Sequence, residues 1–351
     1  MDAKTILEKH KKVIWPVIEK YLHTPLLPKA FIIPPKYKKD EQFYWQVTRE
    51  YPQRQGKYLR PTLVCLTAQA MGVPVKKTLL TAAGMQVSED WLLVHDDWED
   101  NSTKRRGKPA LHRLYSPETA INAGDALHNT MWKIFADNRK ILEEKTTFEI
   151  LDEFYVQLSR TTIGQMTEIN WMQKNKLTFT DADWFFIADG KTSFYTIACP
   201  MRLGAIIAGA TSKQLDQLAE FGVVLGRCFQ LVDDLLDVTS DFSGLKEYAN
   251  DIYEGKRTVI LGHLLRHLNP INKKKLKTIL AKNRDAKTKS EVDWVIAQMH
   301  ESGSIDYAKA MAKDLKDQAM DLFETKLTFL SHEPARSELK TLITFILERD
   351  H

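Results

Sequence analysis

The sequence predicts an all-α protein, a helical bundle in a single domain around a central cavity, and three observations carry that prediction. Apolar residues recur at helical spacing along most of the chain. Alternating β-branched runs are few, and no hairpin dipeptide lies between such runs, so a sheet has little support. Two helical stretches end in the same acidic pattern, Asp96-Asp97-x-x-Asp100 and Asp233-Asp234-x-x-Asp237.

On a helix the first and last Asp of each pattern share a face, one turn apart. Like charges gathered on a face that should bury itself are costly unless cations join them. No Cys or His ligand spacing accompanies the clusters. The donors are therefore hard oxygens, which suit Mg²⁺ sharing its shell with phosphates. Two such helices facing each other would hold Mg²⁺ and a diphosphate between them. Because they must converge, residues 1–351 read as one domain, with an N-terminal helix and connector over 1–38 and a bundle over 39–351.

Taken in order, Ile6, Val13, Ile14, Val17, Ile18 and Tyr21 mark a helix over 5–22, which the proline-bearing stretch 25–35 ends. A helix over 39–51 follows. Gln55-Gly56-Lys57-Tyr58-Leu59-Arg60-Pro61 then brings two cations to the mouth of a helix over 62–71; this is either an anion site at a helix N-terminus or simply a basic loop. The long helix over 76–100 carries the first acidic pattern, and 101–109 is a loop with Lys104, Arg105, Arg106 and Lys108. Later helices cover 117–135, 145–173, 181–208, 212–237, 258–267, 270–281, 290–299, 305–330 and 338–349. Residues 251–258 form a second loop that pairs cations with an acidic helix end.

Gly124-Asp125, Gln165 with Glu168, and Lys191-Thr192 interrupt otherwise apolar faces. Each is as readily a partnered core residue as a ligand contact, although a lysine on an inward face, such as Lys191, needs an anion. His95 lies on the side of Asp96 away from Asp100 and reads as a packing residue. Trp91 and Leu92, about one turn before Asp96, are placed to floor a cavity running down from the metal site.

Composition narrows the function classes. Lys and Arg number 50 against 46 Asp and Glu, a net charge of +4. That is too mild to argue for nucleic acid, and the lysine groups at 36–39 and 273–277 read as solvated surface. Cys65, Cys199 and Cys228 lie far apart without metal spacing, as expected of buried free thiols in a reducing compartment. Residues 1–21 are charged and amphipathic, unlike a signal sequence. The most apolar window, 197–210, is interrupted by Arg202 and too short to span a bilayer. A cytoplasmic protein with no transmembrane segment is expected.

Gly56-Lys57-x-x-Arg60-Pro61, Asp96-Asp97-x-x-Asp100 followed by Arg105-Arg106-Gly107, Gly124-Asp125, Gly164-Gln165, Lys191-Thr192, Phe229-Gln230-x-x-Asp233-Asp234-x-x-Asp237 and the stretch 251–258 together resemble the trans-isoprenyl diphosphate synthases, or polyprenyl synthetases, in that family's motif order. The resemblance implies an isoprenoid-synthase bundle, a homodimer and three Mg²⁺ ions. It also implies head-to-tail condensation of isopentenyl diphosphate with an allylic diphosphate, whether dimethylallyl, geranyl or farnesyl. Asp96, Asp100 and Asp233 would ligate Mg²⁺, with Asp97, Asp234 and Asp237 supporting the shell. Arg105, Lys191, Lys256 and Lys246 would grip the allylic diphosphate, and Lys57, Arg60 and Arg106 the isopentenyl diphosphate. Thr192 and Gln230 resemble the residues that stabilise the allylic cation.

Three positions depart from the family pattern. Gln55 stands where a second glycine is usual, Gly244-Leu245-Lys246 replaces an adjacent Gly-Lys, and Glu89 stands seven before Asp96, where His or Gln meets the isopentenyl diphosphate. A bulky Trp91 suggests products of C15 to C20. The chemistry needs fixed positive charge on the leaving oxygens and a dry, cation-tolerant cavity. Two alternatives stay open at this level: a non-catalytic or regulatory subunit of a heteromeric synthase, and a terpene synthase-like enzyme that ionises a prenyl diphosphate without a second substrate.

Overall fold

The computed structural model describes residues 1–239 and 248–347. The chain groups into two compact units. The first comprises Met1–Asp152, Leu203–Ala210 and Leu330–Thr341; the second comprises Glu153–Arg202, Thr211–Phe329 and the chain from Leu342.

In the first unit, α1 (Ala3–Glu19) begins at Asp2, whose carboxylate accepts the Thr5 N–H, and buries Ile6, Ile14 and Ile18. The connector holds only 3₁₀ turns. The helix expected over 39–51 is divided into α2 (Lys38–Thr48) and α3 (Glu50–Gln53). Pro52 accounts for the break, because its ring clashes with the carbonyl four residues earlier, at Thr48. After α4 (Leu59–Ala70) comes α5 (Leu79–Glu99), whose buried face carries Ala82, Ala83, Met85, Val87 and Val94.

The expected loop after α5 contains a two-residue antiparallel hairpin, β1 (Lys104–Arg105) and β2 (Lys108–Pro109). Its turn needs positive φ at both central residues. Gly107 (φ 77°) adopts this freely, and Arg106 (φ 51°) against its Cβ. α6 (Leu111–Leu114) and α7 (Pro117–Ala136) follow, the latter capped by Ser116 with proline at its first position. α5 packs along α7 and against α4 and α1, so the first acidic pattern sits at the end of the unit's central helix.

α8 (Glu144–Gln173) leads into the second unit. The single helix expected over 181–208 is α9 (Asp181–Ala188), a π-helical stretch Asp189–Ala198, and α10 (Cys199–Ile207). Pro200 supplies the reason: it cannot donate to an i−4 carbonyl and crowds the turn before it, and a widened turn relieves that crowding. α11 (Ser212–Thr239) carries the second acidic pattern and lies along the π-helical stretch. A Cβ on Gly226 would sit 2.3 Å from Ser193 Cα, so these backbones touch only because the position has no side chain.

The stretch expected as a loop after 250 opens with a short helix, α12 (Asn250–Glu254). α13 (Val259–His267), α14 (Pro270–Leu280), α15 (Lys289–Glu301), α16 (Ser304–Thr325) and α17 (Ala335–Leu347) complete the chain. Thr258, Asn269 with Pro270, and the Thr288/Glu291 capping box set the starts of α13, α14 and α15. The three cysteines are buried and unbridged. Among the described residues no helix is long and apolar enough to cross a membrane.

Candidate active site

In the first unit, the end of α5 presents its three aspartates in different settings. Asp96 is half-buried, and Asp100 closes the helix with its N–H on the Asp96 carbonyl. Asp97 is fully buried and already occupied. Tyr51 donates its hydroxyl to it at 2.5 Å, and Arg105 spans both its oxygens, with Nε at 3.0 Å from each. Arg105 also stands 3.7 Å from Asp96. Burial opposes the guanidinium charge, but Asp97 and then Asp96 outweigh it and raise the Arg105 pKa. Asp97 is thus the strut that holds Arg105 beside Asp96.

Tyr51 and Arg54 carried no motif in the sequence. Tyr51 also accepts the Leu111 N–H at 3.1 Å, and Arg54 stacks over its ring while donating to the Arg105 carbonyl at 3.0 Å. Only the tertiary contact identifies them.

The cations expected to hold the second diphosphate lie on the segment before α4 and on the hairpin turn. Lys57 is exposed, and Tyr58 enters α4 from a left-handed conformation (φ 61°). Arg106 packs against Gly56, where a Cβ would stand 2.8 Å from its Nη2. Glu89 does not stand alone there: one carboxylate oxygen is 3.3 Å from Arg60 and the other 3.5 Å from Arg106. Asp90, absent from the sequence expectations, takes a second Arg106 nitrogen at 2.8 Å. Burial pushes the Asp90 carboxyl up to about 6 against the pull of Arg106, with Glu89 adding to the rise.

Trp91 lies about 140° around α5 from Asp96. It is buried against His128 of α7, with ring centroids 4.3 Å apart, and its edge meets His95. His95 fills the space over Gly124 and lies 3.3 Å from the Ile121 carbonyl, a packing role. Leu92 is half-buried.

In the second unit the predicted polar residues form one chain of hydrogen bonds. Thr192 donates to Gln230 Oε1 at 2.6 Å, and Gln230 Nε2 donates to Asp234 Oδ1 at 2.7 Å. The anion that Lys191 needs is Glu168 of α8, at 2.7 Å. Asp237 turns both oxygens to the backbone N–H groups of Asn250 and Asp251, at 3.1 and 3.0 Å, and so anchors the start of α12. Lys256 reaches Glu254 at 2.7 Å and Asp251 at 3.5 Å. Lys246 lies outside the described residues.

Asp234 is the group whose surroundings ask for a cation. It is buried, its Oδ2 has no hydrogen-bond partner, and it faces a cavity of about 10 Å³ lined also by Asp251 and Lys256. A space of that size holds about one water. Burial and the nearby Asp251 push its carboxyl well above the usual range, with Gln230 and Lys256 opposing. Among the described residues no three His, Cys, Asp or Glu side chains come together closely enough to hold a metal by themselves. The donors fit Mg²⁺, which keeps waters and completes its shell with phosphate oxygens.

An all-α chain whose helices carry two Asp-rich ends, each flanked by Arg and Lys, defines a prenyltransferase of the isoprenoid synthase fold. The chain belongs to the polyprenyl synthetase family, whose model matches residues 41–299. It is 30% identical over 295 residues to a geranylgeranyl diphosphate synthase of Saccharolobus solfataricus, covering 84% of this chain and 86% of that one. It is 29% identical over 313 residues to a geranylfarnesyl diphosphate synthase of Natronomonas pharaonis, covering 84% and 87%. The crystal structure of a geranylgeranyl pyrophosphate synthetase from Pyrococcus horikoshii superposes with a TM-score of 0.83 at 28% identity, covering 99% of this chain and 98% of that one.

Proposed function

We propose that this prenyltransferase condenses isopentenyl diphosphate with an allylic diphosphate, releasing pyrophosphate and forming a trans-prenyl diphosphate of about C15 to C20. The carrying observation is the Thr192–Gln230–Asp234 chain, which ends at a buried, unpartnered carboxylate oxygen on the Asp-rich helix. It joins a polar group suited to a developing cation to a group suited to a metal. The relative named a geranylgeranyl diphosphate synthase supports a product within that range, and the one named a geranylfarnesyl diphosphate synthase lies one five-carbon unit above it.

In this reading residues 1–351 act as one domain, and the family match, which runs through both compact units, supports that. Asp96, Asp100, Asp233 and Asp234 would hold Mg²⁺, three ions in number as the family resemblance implies, with Asp97 and Asp237 as supports. Bound Mg²⁺ supplies positive charge for the leaving diphosphate. Arg105, Lys191 and Lys256 serve the allylic diphosphate, and Lys57, Arg60 and Arg106 the isopentenyl diphosphate. Breaking the allylic C–O bond sends its electron pair to the diphosphate. The alkene of the second substrate then attacks the cation, and the proton lost to form the new double bond passes to the departing diphosphate. Trp91, braced by His128, is the wall that stops the growing chain.

The exposed stripe Tyr155, Val156, Ile163 and Met166 on α8 spans about 100° of the helix and supports a homodimer. We place the protein in the cytoplasm.

The test is purified protein with Mg²⁺, isopentenyl diphosphate and dimethylallyl, geranyl or farnesyl diphosphate, with products resolved by length. Elongated linear products are expected. No turnover, or cyclic or alcohol products formed without isopentenyl diphosphate, overturns the reading. Trp91→Ala should lengthen the products; an unchanged distribution removes Trp91 from that role.

A further inference from the structure

The connector between α1 and α2 is a built arm rather than slack chain. Its base is tied down: Arg49 Nε donates to the Leu22 carbonyl at 2.6 Å, Trp45 Nε1 donates to the Thr24 hydroxyl at 2.7 Å, and that hydroxyl donates to Glu41. Proline then fixes φ at positions 25, 28, 34 and 35. The Phe31 and Tyr37 N–H groups each close one 3₁₀ turn, on the carbonyls of Pro28 and Pro34. On this frame apolar side chains face water. Leu26 is fully exposed, Phe31 is 71%, Ile32 60% and Tyr37 47% exposed. Exposed apolar residues scattered singly are ordinary, but four on one short arm mark an interaction surface.

The same arm shows what charge its partner has. Residues 25–39 hold Lys29, Lys36, Lys38 and Lys39, all exposed, and no Asp or Glu; the nearest carboxylate contact is Lys38 to Glu41, at 2.9 Å, just beyond the arm. The chain has 50 Lys and Arg against 46 Asp and Glu, so without these four lysines the two signs balance. The arm therefore accounts for the whole net charge of +4. Lysines alone would be solvated surface. Set among exposed Leu, Phe, Ile and Tyr, they match a partner that is anionic outside and apolar beneath, which is the layering of a bilayer interface with acidic lipids.

We propose that residues 25–39 dock this protein on an anionic lipid bilayer, with Leu26, Phe31 and Ile32 entering the interface and the lysines lying among the headgroups. The arm lies on the membrane and does not cross it. Its prolines keep it in shape, so seating it costs little ordering entropy. The proposed product, a diphosphate on a prenyl tail, is itself an amphiphile, and docking releases it where that tail can be buried. This consequence rests on the proposed function, whereas the docking does not.

The experiment sediments the full-length protein with vesicles of phosphatidylcholine alone and of phosphatidylcholine mixed with phosphatidylglycerol, beside assays of turnover on soluble substrates and of elution on size exclusion. Binding to the anionic vesicles is expected, weakened by added salt, with little binding to the neutral ones. Phe31→Ser combined with Ile32→Ser should weaken it about tenfold or more. Lys36→Gln combined with Lys39→Gln should weaken it about fivefold per lysine. Both double variants should keep turnover and elution volume, because these side chains are exposed. Equal binding to both kinds of vesicle, binding to neither, or full binding by the Phe31→Ser, Ile32→Ser protein overturns the docking. Elution of that protein as a smaller species overturns it too, and assigns the arm to a second copy of the chain. An inactive protein that still sediments with anionic vesicles would sink the proposed function and keep the docking.

Discussion

Neighbouring aspartates on one helix turn have unlike jobs, and substitution should separate them. Asp97→Asn removes the buried counter-charge of half-buried Arg105 and the acceptor of the Tyr51 hydroxyl. It should cost about 3–5 kcal/mol in urea unfolding. Asp96→Asn, on the half-exposed side, should cost no more than about 1 kcal/mol and lower turnover instead. Gln55 sits at φ 44°, where the family resemblance leads one to expect glycine, so Gln55→Gly should stabilise by about 1 kcal/mol in the same experiment. Asp137 gives a pH signature away from the site. Burial works against its charge, but hydrogen bonds from Lys133, Lys140 and Tyr21 win and hold its carboxyl at about 2. A folded value below the unfolded one gives stability that is complete above about pH 4 and lost as pH falls towards 2. Asp137→Asn should therefore cost about 1–3 kcal/mol at pH 7 and flatten the acid limb of the unfolding curve. At this scale the Asp patterns and cation pairs are legible in the sequence. Tyr51, Arg54 and Asp90 are not, because nothing local says which charge a buried side chain will meet.

Helices were legible wherever a cap or periodic face marks them, as at Ser116, Thr180 and Thr288. Two of the misses share a physical origin, the rearrangement of backbone hydrogen bonds without loss of apolar periodicity. Pro52 splits α2 from α3 in this way, and the turn before Pro200 widens into the π-helical stretch that carries Lys191 and Thr192. α12 was hidden because its start is anchored by Asp237, more than ten residues upstream. The π-helical stretch reaches Gln230 only because α11 has glycine where the two backbones meet. Gly226→Ala puts a methyl 2.3 Å from Ser193 Cα and must push the elements apart. It should cost about 2–3 kcal/mol as overpacking. It should also lower kcat more than it raises KM, since the Thr192–Gln230 bond of 2.6 Å is lost while the outer cations stay. A drop in stability with unchanged kcat would show that this bond serves only the fold.

For the whole molecule, the proposed chemistry makes a demand that neither compact unit meets by itself. Asp96 and Asp100 belong to the first and Asp233 and Asp234 to the second, so if both pairs hold Mg²⁺ as proposed, the metal and diphosphate should stabilise both units. A ligand held only by the folded state raises its stability by RT ln(1 + [L]/Kd), about 2.7 kcal/mol at a hundredfold excess over Kd. If residues 1–351 work as one domain, urea unfolding followed by far-ultraviolet circular dichroism and by tryptophan fluorescence should give one coincident transition. Mg²⁺ with a non-hydrolysable allylic diphosphate analogue should move the whole of it upward, and a chelator should return it. Trp91 reports from the first unit, and Trp171 and Trp184 from the second. Two separated transitions, with only one shifted by the ligand, would overturn the proposed joint role of the two Asp pairs.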